Sequence, residues 1–243
     1  MTPAAVFDRM AAEYDATWTT TPVGRAQRDQ VWRIFDALFH SGERVLDVGC
    51  GTGEDARHLM SRGVAVEGLD ASPAMVAAAR SHGVAAEVCR AEDLASVAGP
   101  FDGALSNFGA LNCVADLPAV ARELARVLRP GGRVAICLMG RSCAWEMAYY
   151  AVRLQFGKAL RRRRPTEYRG MKVYYPTTAA VRAAFAEGFI LQAWQGVGLM
   201  VPPSYVKLPG MVVRALAACD RVLAGLPLLR ALADHRLFVL VKQ

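Results

Sequence analysis

A short glycine-rich stretch in the 243-residue chain has the residue types and spacing to hold a charged nucleoside. Val45-Leu46-Asp47-Val48-Gly49-Cys50-Gly51-Thr52-Gly53 runs an apolar strand into a glycine turn that opens a helix. Glycines let backbone approach a ligand where a Cβ would collide, and the first turn of a helix offers free N–H groups. In open α/β sheets ligands bind outside the carboxyl ends of the strands, at the switch point, where such a loop falls. The spacing is G-x-G-x-G rather than the G-x-G-x-x-G of dinucleotide enzymes. Asp47 stands two residues before the first glycine. A carboxylate there repels a pyrophosphate and suits a ligand that bears an amino group. An amino acid–nucleoside such as S-adenosylmethionine (SAM) fits better than NAD.

Asp70 ends the second apolar run, where a carboxylate can accept hydrogen bonds from both ribose hydroxyls. NAD enzymes share that feature, so Asp70 argues for a nucleoside without choosing one. Ala71 and Met75 are expected to flank an adenine face, with ordinary core packing as the alternative. Ala91-Glu92-Asp93-Leu94 follows the third strand. An acid there can accept from the adenine amino group, and Asp93 is preferred to Glu92; capping the next turn is the competing role.

These residues need strands and crossover helices to hold them. β-rich runs at Arg44–Val48, Val64–Leu69, Val84–Cys89, Phe101–Ser106 and Arg133–Leu138 alternate with helical patterns near Glu54–Arg62, Pro73–His82 and Leu117–Leu128. Ser72 before Pro73 marks a helix start, and Arg129-Pro130-Gly131-Gly132 marks a stop. Beyond residue 140 the pattern changes. Ser142–Arg164 reads as one helix with an apolar stripe at Trp145, Tyr149, Val152 and Phe156. The segment Lys172–Tyr175, a helix near Thr178–Glu187, a strand at Phe189–Val197, a long apolar helix over Pro209–Ala233 and a last strand at Leu237–Val241 follow. The expected fold is α/β: a doubly wound, Rossmann-like, seven-stranded sheet with a helical insertion after strand 5. One domain over 1–243 is expected, with a helical cover (1–40), a SAM-binding core (41–140), a substrate-side insertion (141–176) and C-terminal strands and helices (177–243).

A composition 53% hydrophobic and 21% charged allows a sizeable core and excludes a disordered chain. The six cysteines lack metal-ligand spacing, so no metal is expected, and a reducing cytoplasm is the expected setting. Charges interrupt both the N-terminal stretch and the Leu208–Ala233 tract, which argues against a signal peptide and a membrane-spanning helix. The net charge of +7 is uneven: residues 1–140 hold 13 Lys+Arg against 17 Asp+Glu, and residues 141–243 hold 16 against 5. The second half is set up to attract something anionic.

The segments VLDVGCGTG (45–53), GLDASPAMVAAAR (68–80), AEDL (91–94), FDGALSNF (101–108) and LRPGGRVAI (128–136) resemble the class I SAM-dependent methyltransferases. They are most similar to the type 11 group around the ubiquinone/menaquinone-biosynthesis C-methyltransferases. FDRMAAEYD (7–15) is similar to that group's N-terminal helix over the cofactor. The resemblance covers about residues 5–140. It implies that Asp47, Gly49, Gly51, Asp70, Met75, Asp93 and Asn107 contact SAM, with Cys50, Ala71, Glu92 and Phe108 in the same wall, and that Tyr14 lies near the methyl group. Tyr14 and Asn107 are the catalytic candidates. Where related base-modifying enzymes carry an Asn/Asp-Pro-Pro-aromatic clamp, this chain has Ser106-Asn107-Phe108-Gly109, which counts against a nucleobase acceptor.

The acceptor is expected to be small and apolar, in a pocket roofed by the aromatic insertion, with Trp145, Tyr149 and Tyr174 as candidate lining. No base stands out: His40, His58, His82 and His235 read as solvated or capping residues, and Cys113 is a minor candidate for acceptor contact. The run Arg161-Arg162-Arg163-Arg164 beside the apolar stripe suggests peripheral contact with an anionic membrane, against a solvated basic loop as the plainer role. An RNA or other anionic acceptor is the alternative. An NAD(P) oxidoreductase fits less well, because the glycine spacing and Asp47 are wrong for it.

Overall fold

Alternating apolar residues in the strands decide the layering. Val45, Val66, Ala86, Leu105, Ala135 and Leu237 bury one face of the sheet, and Leu46, Leu69, Ala104, Val134 and Phe238 bury the other. The computed structural model describes residues 1–243. In chain order the elements are α1 (Pro3–Tyr14), a π-helical turn (Asp15–Thr19), α2 (Pro22–Leu38), β1 (Arg44–Val48), α3 (Glu54–Met60), β2 (Ala65–Asp70), α4 (Pro73–Ser81), β3 (Ala85–Val88), β4 (Phe101–Ser106), α5 (Leu117–Val127) and β5 (Leu128–Met139). Then come α6 (Ala144–Ala151), α7 (Phe156–Ala159), β6 (Thr166–Tyr168), β7 (Met171–Val173), α8 (Thr178–Phe185), β8 (Phe189–Val197), α9 (Gly210–Leu223) and β9 (His235–Lys242).

Seven strands form one sheet in the order β3-β2-β1-β4-β5-β9-β8. β3, β2, β1, β4 and β5 run parallel, and β9 inserts antiparallel between β5 and β8. The strand order reverses between β1 and β4, so the turn after β1 opens at the switch point. α2, α3 and α4 pack on one face, α5 and α8 on the other. No helix is long and apolar enough to cross a membrane.

The core strands begin and end within a residue of expectation, except β5, which starts five residues early and carries Arg129–Gly132 as an irregularity opposite Phe101 and Gly103. The second half departs more. The expected Ser142–Arg164 helix breaks after Ala151, where Leu154 takes φ 55. Its proposed stripe fails with it: Val152 and Phe156 are exposed. The insertion is mixed rather than helical, because a hairpin, Thr166–Tyr168 with Met171–Val173, closes it. The long C-terminal helix stops at Leu223, ahead of Gly225-Leu226-Pro227, where proline cannot continue a helix.

The hairpin, not the aromatic helix, backs the N-terminal cover. Met171 and Val173 pack with Val6 of α1, against Phe7, Met10, Cys113 and Met139. Asn112, fully buried, fastens this corner: its Oδ1 accepts from Met139 N at 2.8 Å, its Nδ2 donates to the Tyr174 carbonyl, and its own carbonyl accepts from Tyr174 N at 2.7 Å. Asn112→Ala strands a backbone donor and an acceptor in the interior, so it should cost about 3 kcal/mol of stability. Urea denaturation would register this as a lower midpoint at unchanged slope; an unshifted midpoint contradicts it.

Candidate active site

The turn after β1 holds Gly49 at φ 80 and Gly51 at φ 54, left-handed conformations that other residues adopt at a cost. The two glycines serve different ends. A Cβ at Gly49 would lie 2.3 Å from the Ala110 Cβ, whereas one at Gly51 would meet nothing within 4 Å and would stand in open cavity. Asp70 pins the turn: its Oδ2 accepts from Gly51 N at 2.9 Å and its Oδ1 from Ser72 N at 2.9 Å. A carboxylate has about four acceptor positions, so half of them stay free for ligand hydroxyls. Burial raises the Asp70 pKa and the two N–H bonds oppose that shift.

These groups edge a cavity of about 410 Å³, within the usual range for small-molecule sites, roughly 300–1,000 Å³. Of the residues named from sequence, Tyr14, Gly49, Gly51, Asp70, Ala71, Met75, Glu92, Asn107 and Phe108 line it, together with Cys113. α1, expected as a cover from residue 7 on, supplies more of the wall through Pro3, Ala4 and Phe7, with its N-cap Thr2 beside them. It is held there by Asp8, whose Oδ1 accepts from the Ser72 hydroxyl at 2.6 Å and from Ala74 N at 3.1 Å.

Other expectations need correcting. Asp93 is exposed and Glu92 takes its place in the wall, because the turn at 91–92 swings the second acid outward. Cys50 is buried under the turn, with its sulfur against Gly68, and does not line the cavity. Asp47 lies beneath the turn as well. Trp145, Tyr149 and Tyr174 are also outside the cavity wall. Trp145 Nε1 donates to the Met200 carbonyl, and Tyr149 packs edge-on against Tyr205. These two aromatics join the insertion to the segment before α9. His235, expected in solvent, is buried beside Asp234, and its ring meets Phe108 edge-on at 5.4 Å. Burial lowers its pKa, so the imidazole is neutral.

Two residues missing from the sequence reading organise the floor. Asp55, buried at the start of α3, accepts from Trp32 Nε1 at 2.7 Å and from Asn107 Nδ2 at 2.9 Å and pairs with buried Arg28 at 2.6 Å. The Arg28 guanidinium also lies 5.1 Å from the Phe108 ring. Asn107 Oδ1 accepts from Phe108 N at 2.9 Å. Asn107 is therefore a positioning residue, and Phe108 is held at φ 44, a costly conformation for a bulky side chain. The sequence did carry a signal: Gln27 and Arg28 lie in the buried stripe of α2 with Val23, Val31 and Phe35.

Asp47 is the informative orphan. It is buried, its Oδ2 has no hydrogen-bond partner, and burial together with Asp55 and Asp70 pushes its carboxyl well up from the ordinary range. Three carboxylates thus surround the turn with Arg28 as their cation, an arrangement that suits a cationic ligand. SAM brings an ammonium and a sulfonium, so the residues fit it.

Comparison with known proteins agrees with this geometry. Residues 45–132 match the family described as a methyltransferase domain. This stretch carries the methyltransferase-domain match, and the residues around its glycine turn fit SAM. A demethylmenaquinone methyltransferase of Mycolicibacterium gilvum is 38% identical over 137 residues, which cover 55% of this chain and 58% of that protein. The chain thus matches little more than half the length of that relative. Among solved structures, a SAM-dependent methyltransferase of Thermotoga maritima shares the fold at TM-score 0.61 and 18% identity, over 99% of both chains. A 4+2 cyclase shares it at TM-score 0.61 and 18% identity, over 99% of this chain and 94% of that one.

Asp70→Ala in the methyltransferase domain should weaken SAM and S-adenosylhomocysteine binding at least tenfold in calorimetric titration; unchanged affinity removes Asp70 from the site. Asp47 gives a pH test. Its folded-state pKa lies above the unfolded value, so the folded chain binds the proton more tightly, and stability falls as pH rises from the ordinary carboxylate range towards the raised pKa. Asp47→Asn should flatten that fall in ligand-free melting curves above about pH 4 and weaken SAM binding. Parallel curves for the two proteins contradict it.

Proposed function

We propose that the chain transfers a methyl group from SAM to a small, apolar or lipid-like acceptor by in-line displacement. The observation that carries this reading is the part of the cavity wall left over from the cofactor contacts: Phe7, Phe108, Leu111 and Val114, all apolar, with Arg90 as the one cationic residue of the whole wall. Such a wall favours an acceptor without negative charge. Bound SAM supplies an electrophilic methyl on a sulfonium and leaves as S-adenosylhomocysteine. In this reading Asp70 takes the ribose hydroxyls, Ala71 and Met75 flank the adenine, Glu92 takes its amino group, and Asp47 faces the ligand's ammonium from under the turn. Residues 41–140 serve the cofactor and 1–40 cover it.

The chain's contribution is alignment and exclusion of water, worth on the order of 7–11 kcal/mol for well-held reactants. Proton abstraction is not its strength. No histidine lines the cavity. Burial pushes the Tyr14 phenol up to about 12 and the Cys113 thiol up to about 11, so both keep their protons at neutral pH. The reading therefore favours acceptors that are already nucleophilic, such as electron-rich carbons.

The relative is named for demethylmenaquinone, which makes a demethylated naphthoquinol the first acceptor to try. An anionic macromolecule such as RNA is the weaker alternative, since Arg161 and Arg162 are spent inside the protein on Glu146 and Asp234. The same pairing removes half of the arginine run as first proposed for membrane contact. Purified protein with SAM and a panel of naphthoquinols, phenols and isoprenoids should release S-adenosylhomocysteine and add one carbon to at least one acceptor. SAM binding with no methylated product from any of them would end the apolar-acceptor reading.

A further inference from the structure

The tip of the insertion leaves a run of apolar side chains in water without cause from its own packing. Val152, Leu154 and Phe156 are 76%, 78% and 60% exposed, and Leu160 is exposed beside them. Leu154 adopts φ 55, an outlier conformation for a bulky residue, yet it buries nothing there. Cations alternate with these residues: Arg153, Lys158, Arg163 and Arg164 are exposed and lie in no salt bridge. The sequence from Met147 to Thr166 contains no acidic residue. Tyr149 and Tyr150 stand at the base, with the Arg153 guanidinium 3.7 Å from the Tyr149 ring and the Lys158 ammonium 5.8 Å from the Tyr150 ring.

The base of this tip is fixed. Buried Glu146 accepts from Arg161 at 2.9 Å and from Arg162 at 3.0 Å, and Arg162 donates to Asp234 at 2.8 Å. Two arginines of the run therefore anchor the segment to α6 and to the start of β9, and the other two stay free beside Phe156. An anchored loop that presents leucine, phenylalanine and unpaired cations has the make-up of an interfacial membrane contact, with apolar groups for the acyl boundary and cations for lipid phosphates.

We propose that the Val152–Arg164 tip docks on an anionic bilayer surface. A nucleic acid would satisfy the cations but leave Val152, Leu154 and Phe156 in water, which is why the bilayer is the better occupant. Docking here places the insertion, and the face of the methyltransferase that carries it, against the phase that holds lipid-soluble acceptors. The inference does not depend on which acceptor is methylated.

The test is vesicle flotation of the full chain at low salt, with phosphatidylcholine vesicles containing about a third phosphatidylglycerol and with pure phosphatidylcholine as the control. Protein should float with the anionic vesicles and stay at the bottom with the neutral ones. Arg163→Gln with Arg164→Gln should weaken binding about 25-fold, roughly fivefold per cation, and Phe156→Ser should weaken it independently. All these side chains are exposed, so circular dichroism and calorimetric SAM binding should match the parent. That control separates loss of docking from loss of the cofactor site. Sedimentation with both vesicle types overturns the proposal, as does equal flotation on neutral lipid or binding indifferent to both variants. If duplex RNA in equal phosphate concentration strips the protein from the vesicles, the patch belongs to nucleic acid and the membrane reading falls.

Discussion

One buried carboxylate, Asp55, holds together the parts that make the site. Its two oxygens take the Trp32 indole, the Arg28 guanidinium and the Asn107 amide, so α2, α3 and the end of β4 meet on a single group. Breaking such a cluster is expensive, because removing one partner leaves a charge in the interior uncompensated. The cluster fixes the Asn107–Phe108 corner, and with it the wall of the cavity. It also sets the local electrostatics. Arg28 is spent on Asp55, which leaves Asp47 and Asp70 around the glycine turn without a cation of their own, and burial raises both carboxyls. An empty site of that kind is costly to the fold, and a ligand carrying positive charge relieves it. Cofactor choice here follows from charge balance as much as from glycine spacing.

The core was legible because its signals are local. Arg44–Val48, Phe101–Ser106 and Phe189–Val197 follow from alternation or apolar runs bounded by turn residues, and the glycine turn follows from residues within nine positions. What failed depended on distance. Glu92 and Asp93 are adjacent, and only the path of the turn decides which faces inward. Arg28 and Asp55 are far apart in sequence, and each alone looks like a surface charge. His235 was read as solvated since nothing nearby announces that β8 and β5 enclose it. The apolar stripe of Ser142–Arg164 is helical in spacing, but no neighbouring element covers its second half, so helix and stripe both stop at Ala151.

The arginine run shows how composition misleads when charges are counted without their partners. Arg162 is buried with Glu146 and Asp234, and Arg161 reaches the same glutamate. Burial alone would depress the ionisation of Glu146, yet Arg161 and Arg162 hold it below its usual pKa. A buried ionic cluster adds little net stability compared with apolar packing. Its use here is to fix one arrangement: it joins the insertion to β9 across a stretch of chain that lacks a large apolar core of its own. The excess charge of the second half is thus partly internal, and four of the cations that remain outside, Arg153, Lys158, Arg163 and Arg164, share one tip.

Fold and chemistry separate at this point. A cyclase and a methyltransferase share this chain's architecture at the same TM-score, so the sheet by itself fixes neither reaction. The discriminating features are the residues around the turn and what the cavity lacks. Groups able to orient a cationic nucleoside are present, while the ionisable side chains near the reacting end are held in their protonated forms. A site of that composition can bring two reactants together and keep water out, but it does little to activate a reluctant acceptor. Under the proposed reading the acceptor brings its own nucleophilicity, and that requirement narrows the chemistry more than the fold does.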